Sequence, residues 1–130
     1  MSRLIGYIAL GGALGSVARF ALGSYVQQRA TTSLPVGTLA VNIVGSFTAG
    51  FLLSYALRST SISPDARAFA VTGFCGGFTT FSAFSYETVA LLQDGDYRRA
   101  TMYVVLSLVL SMTAALAGVA AGSAVAAARH

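Results

Sequence analysis

Two sets of polar side chains recur at helical spacing in stretches that are otherwise apolar: Thr38, Asn42 and Ser46, and Tyr103, Ser107 and Ser111. Residues four apart share a helical face, so each set forms a polar track that advances about 6 Å per step. Such groups can serve interhelical hydrogen bonding, the usual role of Ser, Thr and Asn in a membrane bundle. They can also replace the water around an ion in transit. Neutral amide and hydroxyl donors, joined by Phe81 and Phe84 with their electropositive ring edges, suit a small anion; the same two rings could equally be packing.

A third polar feature is the run from Gly73 to Ser85, which puts Gly73, Gly76, Gly77, Thr79 and Thr80 inside what should be a membrane-crossing helix. Glycine costs a helix about 1 kcal/mol per interior position relative to alanine, so this run predicts a break. Non-helical backbone at membrane depth persists only where protein buries it or where it lines a polar cavity. The run is therefore read as a site.

The elements that must position these residues are apolar helices. Hydrophobic residues make up 55% of the 130 residues and charged residues only 9%, against roughly 25% charged in a soluble domain. Four stretches nearly free of charge predict spans over 4–26, 36–57, 68–92 and 100–125, each long enough for a hydrocarbon core that takes about 20 helical residues. The connections between them are short, so residues 1–130 form one all-α transmembrane domain and function must lie between the helices. Met1-Ser2-Arg3 before an apolar run resembles a signal peptide, but Arg19 interrupts that run and no small-x-small cleavage pattern follows. The first stretch is read as a retained span.

All eight basic residues are arginine. With four spans, Arg3, Arg58, Arg67 and Arg129 fall on one side and Arg29, Arg98 and Arg99 on the other. Orientation follows an excess of Lys and Arg on the cytoplasmic side, so this near-tie raises dual topology, in which copies insert both ways up and pair antiparallel. A monomer oriented by other cues is the alternative. Small-xxx-small seams at Gly11 and Gly15, Gly45 and Ala49, Ser46 and Gly50, and Gly118 and Gly122 allow close helix packing, within one chain or between two.

Arg19 and Glu87 are the basic and acidic residues placed within spans, and each is a functional candidate unless it reaches an interface. A small proton-coupled exporter of dual topology would need a membrane-centred carboxylate, and Glu87 stands near the end of its span. No nucleophile–base constellation points to an enzyme; the one histidine is the terminal His130. Cys75 is a single cysteine, so no internal disulfide forms, and the absence of a basic run argues against a nucleic-acid partner.

At these residues the chain resembles the fluoride channels called Fluc or CrcB. The resemblance runs through Gly11-Gly12-Ala13-Leu14-Gly15 with Arg19, through Pro35-Val36-Gly37-Thr38-Leu39-Ala40-Val41-Asn42, and through Thr72 to Ser85 with Glu87; Tyr103, Ser107 and Ser111 extend it into the fourth span. It implies an antiparallel, dual-topology homodimer in a plasma membrane or bacterial inner membrane, exporting cytoplasmic fluoride passively. By resemblance Asn42, Phe81, Phe84, Tyr103, Ser107, Ser111, Thr38 and Thr80 would belong to the fluoride pore and its entrance. Arg19 and Glu87 would shape a vestibule. The carbonyls of Gly76 and Thr79 from two subunits would hold a structural sodium ion.

Overall fold

The computed structural model describes residues 1–59 and 61–129, and among these there is no strand. Helix α1 runs Ser2–Arg29, α2 Val36–Arg58 and α6 Tyr97–Ala128; each is long and apolar enough to cross a membrane. Both outer spans extend beyond the predicted limits, because the backbone bonding of a helix continues into its polar ends. The third crossing is assembled from pieces: α3 (Pro64–Arg67), a π-helical stretch (Ala68–Cys75), α4 (Gly76–Phe78) and α5 (Phe81–Gln93). His130 lies outside the described residues.

The expected break is present, but its cause differs from the expectation. Gly76 keeps helical dihedrals, φ −63° and ψ −39°, and the chain leaves the helix at Thr79 and Thr80, whose ψ values are 155° and 111°. The glycines instead remove side-chain bulk. A Cβ on Gly73 would lie 2.8 Å from the Ile8 carbonyl oxygen, and one on Gly77 2.6 Å from that of Gly12. Both clashes are with α1 backbone, which cannot yield as a side chain would.

These contacts also set direction. Gly11 faces the backbone of Phe69 and Phe74 while Gly15 faces Phe74 and Phe78, so α1 and the third crossing run parallel. Gly50 faces Ala115 and Val119, and Gly118 and Gly122 face Phe47 and Phe51, so α2 and α6 run parallel as well. The Ser54 and Ser123 hydroxyls, 2.6 Å apart, join the same two helices. The glycine seams are thus filled within one chain, the packing of small residues that lets membrane helices approach without a hydrophobic drive.

Each end of the bundle is tied. Arg3 pairs with Asp65 at 3.1 Å, and Arg129 Nη1 donates to the Tyr55 hydroxyl at 3.1 Å, which gathers the N-terminus, the second connection and the C-terminus on one side. At the opposite end Leu34, Leu39, Leu91, Ala100 and Tyr103 form a buried cluster. There α5 closes in a Schellman turn: Gly95, at φ 76°, and Asp96 donate to the Leu92 and Leu91 carbonyls at 3.0 and 2.9 Å. Asp96 then caps α6 by accepting from Arg99 N at 3.2 Å, so three residues suffice to reverse the chain. The arginines divide between the two ends as the four-span reading expects.

Candidate functional site

The break is held open by α2. Asn42 Oδ1 accepts from Thr80 N at 2.8 Å and Asn42 Nδ2 donates to Thr80 O at 3.1 Å, so one side chain satisfies both backbone groups of a residue that has left the helix. Thr80 in turn caps α5, its hydroxyl accepting from Ala83 N at 3.1 Å. On the other side of the break Thr79 N and Thr79 Oγ1 both donate to the Cys75 carbonyl at 3.0 Å. Arg19 Nε donates to the Gly77 carbonyl at 3.1 Å. A guanidinium suits that place, where the last carbonyls of a helix lack partners and carry partial negative charge.

Two cavities flank this junction. The larger, of about 440 Å³, is walled by Asn42 and Ser46 from α2, Ser107 and Ser111 from α6, and Gly76, Thr79, Thr80, Phe81 and Phe84 from the third crossing. The polar tracks of α2 and α6 therefore meet at the break, as their spacing suggests. Ser107 Oγ is buried there with no hydrogen-bond partner, alone in this among the described side-chain atoms. Of Asn42's two amide protons one is spent on Thr80, leaving a second donor. The Phe81 and Phe84 rings lie 5.6 Å apart, tilted by 50°, and Phe81 is 76% exposed at the cavity's edge.

The smaller cavity, of about 210 Å³, brings together Arg19, Thr38, Thr80 and Glu87. Thr38 thus joins the Arg19–Glu87 group, and Thr80 borders both cavities. Tyr103 lines neither; it is fully buried, its ring centroid 5.4 Å from that of Phe84, and its hydroxyl donates to Glu87 Oε1 at 3.2 Å. It connects the two groups through protein. Gln27, which sequence reasoning misses, fastens the same region: its amide donates to the Leu34 carbonyl at 3.2 Å and accepts from Gly37 N at 2.9 Å. No spacing signal marks it, because both partners are backbone groups brought close by the turn between α1 and α2. No group of three or more His, Cys, Asp or Glu able to hold a metal occurs among the described residues.

Residues 6–119 match the family described as "CrcB-like protein, Camphor Resistance (CrcB)". The chain belongs to the CrcB family. Its CrcB relatives include a protein of Rhizobium meliloti, 47% identical over 113 residues, covering 87% of this chain and 90% of the relative. One of Citrifermentans bemidjiense is 47% identical over 120 residues, covering 92% and 95%, and one of Opitutus terrae is 51% identical over 114 residues, covering 86% of each. All three are named fluoride-specific ion channel FluC. As a CrcB protein with three helices long and apolar enough to cross a membrane, this chain is a multi-pass membrane protein.

Proposed function

We propose that this CrcB protein is a passive fluoride-selective channel that releases cytoplasmic fluoride and so limits its toxicity. Ser107 carries the reading: an unpartnered hydroxyl buried in a cavity is a cost of about 1–3 kcal/mol unless something occupies the space beside it. Fluoride is small and strongly hydrated, so a path for it needs donors that replace water without holding the ion too tightly. The free Asn42 amide proton, the Ser107 and Ser111 hydroxyls and the Phe81 and Phe84 ring edges are neutral donors of that kind, in one cavity. Arg19 in the neighbouring cavity draws anions to the entrance, and Thr80 borders both spaces along the route. Glu87, hydrogen-bonded to Tyr103, stands apart from the larger cavity and gives no support to proton-coupled export.

Assembly completes the path. The near-equal arginine count at the two ends favours insertion in both orientations, and the exposed Gly76 and Phe81 leave the break open to a second, antiparallel copy in the plasma or inner membrane. Thr80 N is taken by Asn42 and so does not close the helical bond to the Gly76 carbonyl; with the extended Thr79 this leaves oxygen donors that fit a hard cation. Gly76 and Thr79 from two copies would hold the sodium ion, which supplies positive charge that pins the two breaks together. Fluoride efflux from proteoliposomes, with chloride as comparison, tests the function; vesicles that retain fluoride against an outward gradient overturn it.

A further inference from the structure

Resting on that reading, we propose that Gly45 is a positioning residue for the channel, acting through the methyl group of Thr79. The Thr79 side chain is fixed at both of its branches. Its Oγ1 is bonded to the Cys75 carbonyl at 3.0 Å, and on a β-branched residue that choice also fixes where Cγ2 points. It points at Gly45, close enough that a Cβ there would collide with Thr79 Cγ2 and come within 3.1 Å of Phe78 Cδ2. Gly45 stands three residues after Asn42, on the same face of α2. The break is therefore gripped by α2 at two successive points: Asn42 holds the Thr80 backbone, and the empty place at Gly45 receives the Thr79 methyl.

A side chain at position 45 has two ways to find room. Thr79 can turn about χ1, which breaks its hydroxyl's bond to Cys75 and removes one of the ties on the extended segment; or α2 can back away, which stretches the Asn42–Thr80 pair. Either one displaces Thr79 and Thr80 within the larger cavity, where the anion is proposed to pass. Gly45 has no side chain to offer the polar track, so its effect on conduction must be carried by Thr79.

A double-mutant cycle on fluoride efflux tests this. Gly45→Ala is expected to slow efflux about tenfold, within the range for residues in direct contact. Thr79→Ser deletes the clashing methyl and keeps the hydroxyl, so Gly45→Ala/Thr79→Ser is expected to return to within about threefold of Thr79→Ser alone. Wild-type efflux in Gly45→Ala, an equal loss from Gly45→Ala with and without Thr79→Ser, or rescue by Phe78→Leu in place of Thr79→Ser would each overturn the proposal. If Gly45→Ala yields no folded protein, the double variant decides, recovery supporting the contact and its failure refuting it. The same cycle read on melting temperature decides the coupling even where wild-type vesicles release no fluoride, a result that would sink the channel reading alone.

Discussion

Asn42 reaches across from α2 and pairs with both the N–H and the C=O of Thr80, at 2.8 and 3.1 Å. The amide thus repeats what a neighbouring strand would offer an extended residue. The residue proposed to meet the ion is also the one that keeps the helix broken.

Asn42→Ala should therefore be costly in two ways. Leaving the Thr80 groups unpaired costs about 1–3 kcal/mol for each, so a loss of roughly 2–6 kcal/mol in stability is expected from denaturant or thermal unfolding in detergent. Fluoride efflux should fall with it. A variant of unchanged stability would show that the pairing is dispensable.

Ser107→Ala separates conduction from stability in the opposite sense. Removing a buried hydroxyl that has no partner should leave the melting temperature unchanged or higher, by up to about 1–3 kcal/mol in free energy. Efflux should nevertheless drop, by about tenfold for the loss of one donor worth about 1.4 kcal/mol. Equal efflux in the two proteins would remove Ser107 from the path.

Thr80→Val keeps the shape of the side chain and deletes the α5 cap. Loss of a Thr cap costs about 1 kcal/mol, so release of the Ala83 N–H from Thr80 Oγ1 should appear as faster amide exchange at Ala83. An Ala83 exchange rate matching the wild type would contradict the capping role.

Gly118→Ala probes the packing of α2 on α6 at a residue that lines neither cavity. Its Cβ would strike the Phe47 carbonyl, where rigid backbone leaves no room, so a loss of about 1–3 kcal/mol is expected on unfolding. The ratio of fluoride to chloride efflux in folded protein should not change; a changed ratio would mean that the α2–α6 contact shapes the anion path.

Much of this was legible in the residues. Four apolar stretches separated by short polar connections leave few options for a chain that must bond all its backbone groups in lipid, so spans and ends could be read directly. The two polar tracks were visible because fourfold spacing maps onto one helical face whatever the helix packs against. The division of the arginines followed from counting crossings, and the Arg3–Asp65 pair agrees with it.

What the residues left open depends on which surfaces meet. Three glycines followed by two threonines pointed to a break somewhere from Gly73 to Thr80, yet the glycines stay helical: Gly76 stands exposed, while α1 lies against Gly73 and Gly77 and rewards close approach more than loop formation. The chain departs two residues later, where Asn42 supplies the missing partners for Thr80 across 38 positions of sequence. Tyr103 shares a helical face with Ser107 and Ser111 but is capped off by Phe84 and Glu87, so that track shortens to two hydroxyls at the cavity. Periodicity is a property of one helix and survives in the sequence; a hydrogen bond or a void is a property of two helices, and only their packing decides it.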